Sequence, residues 1–250
     1  MTVFVFTGPS LSPEAAREHL DAIYMPPASQ GDLIRVLARK PTAIGIIDGF
    51  FHNVPAVWHK EVLAALSQGV PVWGSASMGA LRAAELAAFG MVGVGSVFEA
   101  YRDGIIEDDD EVAVTHGPAE LGYLALSEAM VNVRCTLADA HASGVISERT
   151  RGLVERTAKE TPYVERTYDR ILKAAAVAGL GGRDAEVLRA WLPAGRRDLK
   201  RDDAIRMLRT MRERLGAGPA RVSPKFHFEE TTLWMSAVKG TLDGKRASRT

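Results

Sequence analysis

One cysteine, Cys135, is all that 250 residues offer. A single thiol closes no internal disulfide and builds no cysteine-based zinc site, and it fits the reducing cytoplasm. Neither sign of charge is in excess: 31 Lys and Arg stand against 31 Asp and Glu, a formal net charge of zero. That balance argues against a general nucleic-acid binder, which carries a basic surplus. The stretch best placed to form a local basic patch runs from Arg196 to Arg214. No apolar run approaches a membrane span, and the opening MTVFVFTGPS has neither the basic start nor the apolar length of a signal peptide. Internal repeats and low-complexity tracts are also missing. No G-K-[ST] follows the Thr7 to Ser10 loop, so it is not a P-loop, and Gly93-Val94-Gly95 is too short for a dinucleotide fingerprint. The length still suffices to bury a sizeable core, as one large domain or a core with a smaller attachment.

What is present is an alternation of strand and helix signals over the first ninety residues. Val3 to Phe6 is a short apolar strand, and Ser12-Pro13-Glu14 starts a helix, a capping residue followed by proline at the first helical position. Ala22 to Met25 reads as a strand, as does Ala43 to Ile47, which Asp48-Gly49 ends. Pro55 to Gln68 has Val57, Val62, Leu63 and Leu66 on one helical face, with Gly69 as its stop. Val70 to Trp73 is a further strand. The series predicts an α/β fold: a mainly parallel sheet with flanking helices and right-handed crossovers. Beyond it, Val112 to Val114 reads as a short strand and Pro118 to Ala142 as a helix. Ser147 to Leu215 reads as helical, broken near Thr161-Pro162, Gly181-Gly182 and Pro193 to Gly195. The expected division is an α/β core over 1–120, a helical C-terminal subdomain over 121–239 and a flexible tail over 240–250.

The run GVPVWGSASMGALRAAEL, Gly69 to Leu86, is the most informative stretch. An apolar strand enters a turn of very small residues, Ser77 sits at its tip, and Gly79 and Ala80 open a helix. That is the layout of a nucleophile elbow, although Ser75 stands where the strict G-x-S-x-G pattern has glycine. The same residues describe a turn in which Ser77 or Ser75 only caps a helix. Ligand sites in open parallel sheets lie beyond the carboxyl ends of the strands, where the Thr7–Ser10, Asp48–His52 and Gly74–Ser77 loops fall.

The remaining candidates each carry two readings. Asp48 and His52 leave a strand end, as site groups or as turn residues. His59-Lys60-Glu61 cannot all face one site; His59 is the preferred base for a serine proton and Lys60 the alternative, unless both belong to a solvated face. Arg82 and Glu85, i and i+3, can pair with each other, while Arg82 also stands where it could hold an anionic tail. Asp108 to Glu111 is a solvated acidic loop or a cation site without EF-hand spacing, and no metal is assigned to it. His116 could enter the site or pack elsewhere.

Taken in order, Asp48-Gly49-Phe50-Phe51, the segment Val54 to Glu61 and the segment Gly74 to Leu86 resemble the TfuA-like proteins. Asp103 to Ile106, Asp109 to Val114 and His116-Gly117-Pro118 resemble them too, and Phe228 to Trp234 more weakly. The resemblance implies an accessory role beside a YcaO-family enzyme in backbone thioamidation of peptides, including ribosomally made natural products. The implied task is sulfur transfer: hydrolysis of the C-terminal thiocarboxylate of a ubiquitin-like, ThiS-type carrier protein, with no cofactor of its own. Ser77 is then the nucleophile, with the Met78 and Gly79 N–H groups on the oxyanion. His59 or Lys60 is the base, Asp48 orients it, and Arg82 steers the tail beside Ser75 and His116. Alternatives are a water attack with Ser77 and Arg82 only binding, a non-catalytic adaptor docking the carrier on the YcaO enzyme, and a generic serine hydrolase. A homo-oligomer is left open.

Overall fold

A computed structural model gives the fold and describes residues 2–51, 54–218 and 226–247. The chain divides into two compact units: residues up to Ile105 together with those from Asp203 onward, and the intervening Ile106–Asp202.

The first unit is built on β1 (Val3–Phe6), β2 (Ile23–Met25), β3 (Ala43–Ile46), β4 (Val72–Gly74) and β5 (Val92–Gly93). They form one sheet in the order β2-β1-β3-β4-β5, every pair parallel. Between them run α1 (Pro13–Arg17), α2 (Asp32–Leu37), α3 (His59–Ser67) and α4 (Met78–Leu86), with α5 (Ser96–Arg102) after β5. The expected α/β fold with a parallel sheet and flanking helices is what forms. Ser12 caps α1 through Ala15 N at 3.3 Å, with Pro13 at the first turn, as its sequence signal requires. Burial on both faces makes β1 a continuous apolar run rather than an alternating one. Val3 and Val5 join Ala16 of α1 in one core cluster; the Phe4 ring lies under the Arg39 guanidinium, 4.4 Å away.

Two helices outside the alternation complete this unit. From α10 (Leu199–Gly216), Met207, Leu208 and Met211 enter the cluster of Val3 and Val5. From α11 (Thr232–Ala247), Trp234 packs with Ile34 of α2 and Ala64 of α3, with Phe228 edge-on to it at 5.5 Å. Residues 240–247, read from sequence as tail, are therefore helical.

The second unit holds α6 (Met130–Ala142), α7 (Glu148–Glu160), α8 (Tyr168–Val177) and α9 (Gly182–Gly195) around a core that includes Val133, Leu137, Val154, Ile171 and Leu188. Helix starts only at Met130, not at Pro118; the residues before it form a loop with one 3-10 turn at Ala119–Leu121. No strand forms at 112–114. The 3-10 turn Asp109–Glu111 comes first, and the Val112 carbonyl is taken by the buried Lys200 Nζ at 2.7 Å instead of a strand neighbour.

Candidate functional site

The order 2-1-3-4-5 reverses direction between β1 and β3, and the crevice beyond that point is where such sheets bind ligands. In this chain the protein bridges it internally. Asp48, just past β3, is buried and accepts from the N–H of Gly8 at 2.9 Å and of Ser10 at 3.0 Å on Oδ2. The Ser10 hydroxyl donates to Oδ1 at 2.6 Å. The Asp48 carbonyl accepts from Ala28 N at 2.9 Å, and Phe50 N donates to Ala28 O at 3.0 Å. One residue thus ties the loops after β1, β2 and β3 together. Its carboxylate is held by a loop, not by either candidate base.

The strand-turn-serine-helix layout read from the sequence is present. β4 ends at Gly74, Ala76 turns the chain with φ of 66°, and Ser77 stands immediately before α4. A left-handed alanine costs on the order of 1–2 kcal/mol, so the turn stores strain at the serine's doorstep. Two glycines allow this seat. A Cβ on Gly79 would stand 1.8 Å from the Ile46 carbonyl oxygen, and one on Gly74 would stand 2.1 Å from the Gly79 oxygen. The first turn of α4 therefore rests backbone on backbone against the strand ends.

That seat also engages backbone N–H groups of the turn. Gly79 N–H donates to Ile47 O at 3.2 Å and Ser77 N–H to Ser75 O at 2.7 Å. Of the pair expected to hold an oxyanion, Gly79 is thus engaged within the fold. Ser77 is buried and its side chain makes no capping bond to α4. Ser75 is fully enclosed, and its Oγ has no hydrogen-bond partner among the described residues. An enclosed hydroxyl in that state costs about 1–3 kcal/mol.

The candidate bases turn elsewhere. His59 Nε2 pairs with Glu85 Oε2 at 2.8 Å, and Arg82 Nη1 reaches the same oxygen at 2.7 Å. Arg82 Nε donates to the Val57 carbonyl at 3.1 Å. Glu85 lies eight residues beyond Ser77, about 12 Å along the α4 axis. Lys60 Nζ lies 3.5 Å from the Thr231 hydroxyl and 5.3 Å from the Phe228 ring centroid. The carboxylate partnered with His59 is Glu85, not Asp48. Sequence reading linked Glu85 only to Arg82, through their i, i+3 spacing; its second partner, His59, stands at the start of α3, twenty-six residues earlier.

Glu61, the third of the polar run, faces inward. It is buried and accepts from Gly31 N at 2.9 Å and Leu33 N at 3.2 Å, fixing the start of α2. Burial pushes its carboxyl up from the ordinary value, and these backbone donors only partly offset it. His52 lies outside the described residues. His116 belongs to the second unit, where its Nδ1 lies 2.8 Å from the Gly117 carbonyl and its ring stands edge-on to Tyr123 at 5.5 Å.

The acidic run is an ion-pair network of the second unit. Lys159 Nζ meets Asp108 and Glu111, each at 3.0 Å, and also Asp110. Arg134 holds Glu111 at 2.9 Å. The entirely buried Arg166 donates to Asp110 Oδ2 at 2.7 Å and to the Asp110 carbonyl at 2.8 Å. Among the described residues no group of His, Cys, Asp and Glu is arranged to hold a metal ion. Nor is any described helix long and apolar enough to cross a membrane.

The first unit is an open, parallel α/β domain with a serine on a strained strand-to-helix turn at the carboxyl edge of its sheet. The particular family is given by comparison: residues 48–167 match the family of TfuA-like proteins. The match begins at Asp48, takes in the Ser77 turn and α4, and continues through the ion-pair network of the second unit. The family implies an accessory role beside a YcaO-family enzyme in thioamidation. No curated protein matches the chain.

Proposed function

We propose that this protein frees sulfide from a thiocarboxylated, ubiquitin-like carrier of the ThiS type and supplies it to a YcaO-family enzyme. One observation carries the reading: Ala76, with φ of 66°, bends the chain so that Ser77 heads α4 at the carboxyl edge of the sheet. In the serine form of the reaction, Ser77 Oγ bonds to the carbonyl carbon of the carrier's last residue while its proton passes to a base. As the tetrahedral adduct collapses, the base returns that proton to sulfur, the carbon–sulfur bond breaks, and hydrosulfide leaves. Water then cleaves the acyl-serine, giving the carrier carboxylate and restoring the hydroxyl. The Met78 N–H faces the developing oxyanion, and Arg82, once it exchanges Glu85 for the tail, holds the anionic terminus.

The engagement of His59 with Glu85 and of Lys60 with Thr231 favours a second reading. In it the protein is an adaptor that docks the carrier on the YcaO enzyme and breaks no bond itself. Sulfide release and intact carrier mass separate the two. A thiocarboxylated ThiS-type carrier mixed with the wild-type protein alone is expected to become the carboxylate with release of sulfide. Ser77→Ala is expected to slow this at least 100-fold. No release by either form, together with faster thioamidation by the YcaO enzyme, makes the protein an adaptor.

A further inference from the structure

The loop between the ion-pair network and α6 shows its apolar side chains to solvent. Leu121, Leu124 and Leu126 are 63%, 63% and 56% exposed, three large apolar side chains within six residues. Their backbone is nevertheless well tied. Gly117 N donates to Leu124 O at 2.8 Å and Leu126 N to Thr115 O at 2.7 Å, around an antiparallel bridge between His116 and Ala125. Thr115 N is held by the Ser127 hydroxyl at 2.8 Å. Tyr123, in the left-handed region at φ 57°, is braced by the His116 ring. A strained, cross-braced loop that displays leucines has already lost the entropy that binding would otherwise cost. Single exposed leucines are ordinary, whereas a rigid set of them marks a contact surface.

The charge around this loop specifies its occupant. From Asp103 to Val133 the sequence has eight acidic residues and not one Lys or Arg. Asp110 and Glu111 are neutralised by Lys159, Arg166 and Arg134, but Glu107, Asp109 and Glu120 are exposed and join no ion pair among the described residues. The stretch thus offers exposed leucines together with exposed acidic residues, Glu120 within the loop and Glu107 and Asp109 just before it in the chain. It repels an anionic carrier tail, and it complements a folded protein whose apolar patch is ringed by lysine or arginine.

We infer that the Thr115–Ser127 loop is the docking surface for the YcaO-family partner enzyme, which meets it with an apolar, basic-rimmed patch. The choice of that enzyme rests on the function proposed above; the shape and charge of the surface do not. The test is calorimetric titration of the YcaO-family enzyme into the wild-type protein and into Leu121→Ser/Leu124→Ser, at low and at 0.3 M salt, with sulfide release from the carrier assayed in parallel. Expected are binding that weakens as salt rises, a loss of at least tenfold in the variant, and unchanged melting temperature and sulfide release. Glu107→Gln/Glu120→Gln should lower the association rate and flatten the salt dependence. Equal binding by wild type and the leucine variant overturns the inference. So does a wild type that releases sulfide but binds no enzyme, a result that leaves the release reading intact. Leucine-dependent binding without sulfide release upholds the docking surface and removes the hydrolase instead.

Discussion

Asp48 shows how one residue can separate a structural role from a chemical one. Its carboxylate takes two backbone N–H groups and one hydroxyl, all from the Gly8–Ser10 turn. An amide can meet the same demand: its oxygen accepts from both N–H groups, and its NH2 donates to the Ser10 oxygen. Asp48→Asn is therefore expected to keep sulfide release within a few-fold of wild type. Asp48→Ala strands three polar groups and should cost about 2–4 kcal/mol of stability. Urea unfolding beside the release assay reads both. If the amide folds normally yet abolishes release, the negative charge acts in the chemistry and the clamp is not its purpose. The turn that presents Ser77 was legible in the sequence because strand, small residues and helix are contiguous. The partners of Asp48 were not, since Gly8 lies forty residues away and only the pairing of β1 with β3 brings it near. For the same reason His59 could be picked out by residue type while its tie to Glu85 could not.

The seating of α4 on the ends of β3 and β4 depends on Gly79. Replacing glycine by alanine inside a helix ordinarily gains about 1 kcal/mol. Here the added methyl would meet the Ile46 carbonyl at 1.8 Å, so Gly79→Ala should reverse that sign and destabilise by roughly 3 kcal/mol or more. A melting temperature at or above that of wild type would show that the helix lifts off the strands easily. At this scale the parallel alternation was readable, because β1, β3 and β4 are buried on both faces and appear as unbroken apolar runs. The second unit was less so. Leu121, Leu124 and Leu126 pass for part of an apolar helical face, yet Gly117-Pro118 and the left-handed Gly122 and Tyr123 keep that stretch from coiling. The opposite error fell on α11, where the small, polar residues from 240 onward were read as a flexible tail. Trp234, Val238 and Leu242 recur every four residues and hold the helix against Ile34 and Ala64.

Acid stability belongs to the whole molecule. Burial raises the Asp110 carboxyl, but Lys159 and Arg166 outweigh it and hold Asp110 below the ordinary carboxylate range. The unfolded chain then binds that proton more readily than the folded one, so stability rises with pH across the window. The contribution is complete above the ordinary aspartate value of about 3.9 and is lost as pH falls through the lower, folded one. Asp110→Asn should melt lower than wild type at pH 6 and lose less of its melting temperature between pH 5 and pH 3. Parallel acid limbs in the two proteins would assign the slope to other carboxylates. The division of the chain also bears on how it is made. Met207, Leu208 and Met211 stand in one core cluster with Val3 and Val5, and the Met211 sulfur would touch a Cβ on Gly45 at 3.1 Å. A ribosome that has synthesised every strand of the sheet has still to deliver those methionines, with some hundred residues of another unit between. The nascent sheet emerges with one face only partly covered, and the inserted helices have their own core complete before the domain that began first can close.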